Sequence, residues 1–157
     1  MRKRIIGHEA QEVSSADQGW LDVARLAQVE LTSEDAAHPF ESVLLADAGA
    51  GWQAAEPGEQ TIRLLFDAPM RINRVHLVFD EQQGARAQEF VLRWLPAGEQ
   101  SYRELRRQGY NFSPPDTTQE VEDFTVNLDR VAALELSIVP DISGGGARAS
   151  LAGLQLA

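Results

Sequence analysis

The side chains of this sequence best equipped to hold a ligand are an aromatic and amide run, Tyr110-Asn111-Phe112, and two arginines, Arg86 and Arg107. An aromatic face stacks on the C–H bonds of a pyranose ring, and an amide bridges its hydroxyls. A guanidinium fork matches vicinal hydroxyls or the carboxylate of an acidic sugar. Trp52 offers another stacking surface, directly after the glycine-rich acidic run Asp47-Ala48-Gly49-Ala50-Gly51, and His38 stands before Pro39. Each also has a purely structural reading. The aromatics can pack their loop onto a core, the arginines can be exposed ion-pair partners on an acidic chain, and His38 can lead into a helix.

Catalytic chemistry has less to work with. The three histidines, His8, His38 and His76, are scattered without metal-ligand spacing. There is no Gly-x-Ser-x-Gly elbow, no His-Glu-x-x-His and no phosphate-binding loop. The acidic pairs Glu120 with Glu122, and Glu34 with Asp35, could in principle share acid–base work across a cleft. Glu120 and Glu122, at i and i+2 on a strand, share one face, and surface solvation explains both pairs better. The sequence is therefore read as non-catalytic.

Composition narrows the partners. A formal net charge of −10, with Lys3 as the sole lysine, argues against general binding to nucleic acid or to anionic membrane, both of which need clustered cations. With no cysteine there are no disulfides, thiolate nucleophiles or cysteine metal sites, which fits a reducing compartment. The basic cluster Arg2-Lys3-Arg4 is followed by only Ile5 and Ile6 before Gly7 interrupts, so no export signal is read there, and the expectation is a cytoplasmic protein. At 157 residues the chain suits one domain, taken as residues 20–157 behind a polar, partly ordered leader over residues 1–19.

The elements that must carry these residues are mostly strands. A first strand is expected over residues 24–32, then a long irregular connection over 33–59. Inside it Pro39, Phe40, Val43 and Leu44 have the spacing of one or two helical turns. Alternation then marks strands at Ile62, Leu64 and Phe66, at Val75, Leu77 and Phe79, and at Phe90, Leu92 and Trp94. A short strand around residues 102–107 follows, then a polar loop over 109–119. Alternation resumes at Phe124, Val126 and Leu128, at Leu134, Leu136 and Ile138, and through Leu151, Leu154 and Leu156. Asp67-Ala68-Pro69-Met70 and Asp129-Arg130 are read as short turns between strands. The expected fold is an all-β antiparallel sandwich of jelly-roll type, with about eight strands and one short helix in the first long loop. If strands run up and down, the long connections all fall at one end, which becomes the candidate binding face.

The strand ending in Ser33-Glu34, the loop Asp47 to Trp52, the strand pair 60–66 and 71–79, and the ending 134–140 followed by Ala149-Ser150-Leu151-Ala152 resemble the discoidin or F5/8 type C superfamily. That group has a galactose-binding-like jelly roll and includes many carbohydrate-binding modules. The resemblance covers roughly residues 24–157. It implies non-catalytic recognition of a glycan through loops at one end, with an intracellular protein-interaction domain on the same fold as the alternative. It places Trp52 at a position usually in the core. It also implies a structural calcium ion, with Asp47 supplying a carboxylate and the Gly49 and Gly51 region carbonyls. Gly153 stands where relatives often have a glutamate ligand, so no cofactor is expected and Asp47 is read first as a turn residue.

Overall fold

The computed structural model describes residues 19–45 and 51–157. Asp47, Gly49 and residues 1–18 of the leader, His8 among them, lie outside them.

Among the described residues eight strands carry the fold: β1 Ala27–Leu31, β2 Trp52–Pro57, β3 Gln60–Asp80, β4 Arg86–Pro96, β5 Arg103–Phe112, β6 Gln119–Val139, β7 Arg148–Leu151 and β8 Gly153–Leu156. The antiparallel sandwich expected from the alternation is present, but its strands are divided differently. A single helical turn, Val23–Leu26, occupies the first part of the segment expected to be strand. The short helix is a 3-10 turn, Phe40–Leu44, with Pro39 at its N-cap. The Glu34 carboxylate accepts the Phe40 N–H at 2.7 Å, satisfying one of the donors that any helix start leaves open.

The main correction concerns the two short turns. Neither separates strands. β3 and β6 each run for 21 residues and pair antiparallel along their whole length, from Gln60 opposite Ile138 to Asp80 opposite Gln119. Register shifts interrupt that ladder at Leu65–Met70, Met70–Ile72 and Ile72–Arg74, where Asp67 and Pro69 on one strand and Asp129 and Arg130 on the other sit. Pro69 cannot donate to a ladder, and Arg130 has φ of 57°. The pair therefore bends as a unit rather than reversing. The inward phase changes at the bend: Ile62, Leu64 and Phe66 are buried before it, Val75, Leu77 and Phe79 after it.

The bend makes two layers from one hydrogen-bonded sheet. The first half of β3 pairs with β1, and the order continues through β6 and β4 to β5. The second half of β3 takes β8 on its other edge instead. Inner side chains of both layers meet around a small apolar void that Leu64, Leu92 and Leu136 line from one side and Leu77, Leu154 and Leu156 from the other. Phe79 and Phe90, one from each layer, stack with ring centroids 5.1 Å apart. That contact brings the Asp80 end of β3 back to the end of the sandwich at which β3 began.

The C-terminal segment, expected as one strand, breaks at Ala152. β7 pairs with β2, a strand not anticipated within the first long connection, and β8 pairs with β3. Gly51, with φ of +74°, lets the chain enter β2 against this ribbon. A Cβ there would lie 2.5 Å from the Leu151 carbonyl oxygen, so only glycine fits.

Candidate functional site

The fold gathers the long connections at one end. The first long loop reaches β2 through Gln53 N–H, which donates to the His38 carbonyl at 3.3 Å. The loop after β3 meets the loop before β6 where Glu81 N–H donates to the Thr118 carbonyl at 2.8 Å. The loop after β6 meets β4 where Ile142 N–H donates to the Ala87 carbonyl at 2.8 Å.

Between these loops lies a pocket of about 260 Å³. His38 and Gln53 form one wall, Asp80, Glu81, Gln82 and Gln83 another, and Arg148 with Ser150 a third. Trp52, Leu151 and Ala152 form the apolar base. The lining is dominated by hydrogen-bonding groups: an imidazole, three amides, a guanidinium, carboxylates and a hydroxyl. Their local geometry is held from behind. Asp35 accepts the Ala37 N–H at 3.0 Å and lies 3.4 Å from His38 Nδ1. The Ala37 N–H, the His38 side chain and more distant Arg148 hold the Asp35 carboxyl below its ordinary range against a burial effect that raises it. Ser150 Oγ donates to the Asp80 carbonyl at 3.3 Å, tying β7 to the end of β3.

Glu81 organises the loop wall. Its Oε2 accepts the N–H groups of Gln83 at 2.9 Å and Gly84 at 3.2 Å, and its Oε1 accepts Arg86 Nε at 2.6 Å. Burial alone would raise its pKa, but these donors and the Arg86 charge outweigh it and leave the carboxyl below its usual value.

Of the residues the sequence singles out, the structure brings only His38 and Trp52 to this pocket. Trp52 is 1% exposed, and its Nε1 donates to the Ser33 carbonyl at 3.2 Å, so the ring has no open face for stacking. Arg86 is buried behind the pocket wall. Tyr110, Asn111 and Phe112 are not in a loop at all, because β5 continues through Phe112 and splits them between its two faces. Phe112 is 1% exposed in the core, and Tyr110 packs edge-on against it at 5.0 Å while its hydroxyl donates to the Gln119 carbonyl. Asn111 points the other way and is exposed. Arg107 lies on the outer face of β5, paired with Glu89 at 3.2 Å and Glu104 at 3.1 Å. Asp47, the candidate calcium ligand, is outside the described residues. Among the described residues no three His, Asp or Glu side chains converge as a metal-binding group, and Gly153 packs against Val78 without offering a ligand.

The pocket also brings together Asp80, Gln53 and Arg148, none of which the sequence singles out: Asp80 and Arg148 stand in strands beside long connections, and Gln53 falls inside the connection expected over residues 33–59.

No protein-family model and no curated protein matches the sequence. Solved structures do match. The family 32 carbohydrate-binding module of NanJ from C. perfringens, in complex with galactose, aligns with a TM-score of 0.63 at 11% identity, over 87% of this chain and 96% of that one. The family 32 module of AlyQ, in complex with 4,5-unsaturated mannuronic acid, aligns at 0.62 and 13% identity, over 88% and 97%. An F5/8 type C domain from Bacteroides fragilis aligns at 0.59 and 13%, over 87% and 93%. The chain has the discoidin-like fold. In this discoidin-like sandwich the polar pocket sits where the fold collects its longest connections, while the bent β3–β6 pair supplies the rigid base beneath them.

Proposed function

We propose that the protein is a non-catalytic carbohydrate-binding module that takes a sugar in the pocket between His38, Asp80 and Arg148. The observation that carries the reading is the pocket's lining. Both donors and acceptors line it above an apolar base, with no free aromatic platform, as suits a polyhydroxylated ring held by hydrogen bonds. Asp80 accepts from hydroxyls, Arg148 donates to them, and the Gln53 and Gln83 amides do both. That solved structures of the same fold include modules bound to galactose and to an unsaturated mannuronic acid supports a glycan as the ligand class.

Calorimetry with galactose, N-acetylgalactosamine and galacturonic acid, after a glycan-array screen, tests this. Arg148→Ala and Asp80→Ala should each weaken binding at least tenfold, since each removes charge-assisted hydrogen bonds worth about 1.5–3 kcal/mol. Arg107→Ala, on the far face of β5, should leave affinity unchanged. A blank array and flat calorimetry would sink the sugar reading, and a stoichiometric protein partner found in its place would support a protein-interaction domain on this fold.

A further inference from the structure

We propose that Arg86 is a positioning residue for the pocket, holding the Glu81 loop in its binding shape, and that its hold is governed by whether the Glu120 carboxyl carries a proton. This rests on the reading of the pocket as a sugar site and concerns how that site is regulated.

The Arg86 side chain is 3% exposed. Its Nε donates to Glu81 at 2.6 Å, its Nη1 to Gln88 Oε1 at 3.0 Å and to the Pro140 carbonyl at 2.8 Å, and its guanidinium lies 4.7 Å over the Phe112 ring. One side chain thus joins the loop after β3, the loop after β6, and strands β4 and β5. Gln88 passes the connection on, because its Nε2 donates to Glu120 Oε1 at 3.3 Å. Two atoms of this buried chain have no partner: Arg86 Nη2 and Glu120 Oε2. Such orphans are uncommon in folded proteins, and here a spare donor and a spare acceptor lie on one hydrogen-bonded chain.

Glu120 is 2% exposed. Glu122 faces it from the same strand, and Arg106 of β5 is occupied with Glu122 at 3.2 Å. From β4 it meets Gln88 and, farther off, Arg86. Beside it Tyr110 is engaged with the Gln119 carbonyl. Burial first, and then the neighbouring Glu122 carboxyl, push its pKa up to about 8, against smaller lowering effects from Gln88 and Arg86. At neutral pH Glu120 is therefore uncharged, and Glu81 is the carboxylate that holds the Arg86 cation. Ionisation of Glu120 puts a second carboxylate on the chain, one Gln88 amide away from the Arg86 guanidinium, whose Nη2 has no partner. The two acids then compete for one cation, and the Glu81 loop, a wall of the pocket, loses part of its anchor.

The direct test is to follow the backbone amide shifts of Gln83 and Gly84, whose N–H groups bond Glu81, by NMR from about pH 6.5 to about pH 9.5. Wild type should show a step with its midpoint near pH 8. Glu120→Gln, which keeps the shape and cannot ionise, should show none. Galactose affinity should fall roughly fivefold across the same step in wild type and stay level in the variant, a coupling at the low end of the usual range. His38 lines the pocket in both proteins, so its contribution cancels in the comparison. A flat wild-type curve, the same step in Glu120→Gln, or galactose affinity indifferent to the step overturns the proposal. If the amide step behaves as expected and no sugar binds, the coupling stands and the sugar reading fails.

Discussion

At the scale of single residues, identical side-chain types take opposite roles according to the face they occupy. Arg86 and Arg107 are both expected from the sequence at the ligand end. One is buried as a clamp behind the pocket, and the other is an exposed ion-pair partner on an outer face. Glycines divide in the same way. At Gly51 a Cβ would collide with the Leu151 oxygen at 2.5 Å and with Ala152 Cα at 2.9 Å, and φ is +74°. At Gly58 φ is +93° but nothing lies within 4 Å. Gly51→Ala should therefore cost about 2–4 kcal/mol, against about 1 kcal/mol for Gly58→Ala, where only the backbone conformation is penalised. Urea unfolding of both variants checks the difference. Equal losses would mean that the close approach of β2 to β7 contributes nothing.

At the scale of elements, the bend shared by β3 and β6 organises the molecule, and its signature in the sequence was ambiguous. Pro69 and the Asp129-Arg130 pair are turn formers, and alternation does lapse there, so two strands joined by a turn and one strand with a corner look alike. Only the continuous register from Gln60–Ile138 to Asp80–Gln119 separates them. The up-and-down reading nevertheless put the long loops at one end, because a corner returns the chain to its starting end just as a turn would. The ligand residues were less legible for a related reason. Tyr110 and Phe112 drew attention by chemical type, but β5 runs on through them and alternation turns both inward. The corner also carries a testable strain. Arg130 is the sole non-glycine residue with positive φ among the described residues, at 57°. Holding an L side chain there costs roughly 1–2 kcal/mol, which glycine avoids while losing some unfolded-state entropy. Arg130→Gly should raise the unfolding free energy by up to about 1 kcal/mol, and a lower melting temperature would show that the Arg130 side chain contributes packing that outweighs the strain.

At the scale of the whole molecule, the charges on one outer face of the sandwich are paired with one another. Glu30, Arg63, Glu135, Arg93 and Glu104 lie in one row, in register across β1, β3, β6, β4 and β5 with signs alternating. Glu135 is its centre, with Arg63 Nε at 2.8 Å, Arg93 Nη1 at 3.2 Å and a side chain only 11% exposed. Its carboxylate also raises the Arg63 pKa, chiefly through that hydrogen bond. Removing it leaves two guanidinium groups with no anion between them, and partial burial means water cannot fully take its place. Glu135→Gln should cost about 1–3 kcal/mol, well above the 0–1 kcal/mol of an exposed pair such as Arg103 with Glu99. The Glu99→Gln variant is the internal control, and urea midpoints at low and high salt separate the two. Salt should erase the small Glu99 effect and only reduce the Glu135 one, since a partly buried pair is screened less. Were Glu135→Gln as mild as Glu99→Gln, the row would be a surface pattern without mechanical weight. The outer face would then be free to engage partners.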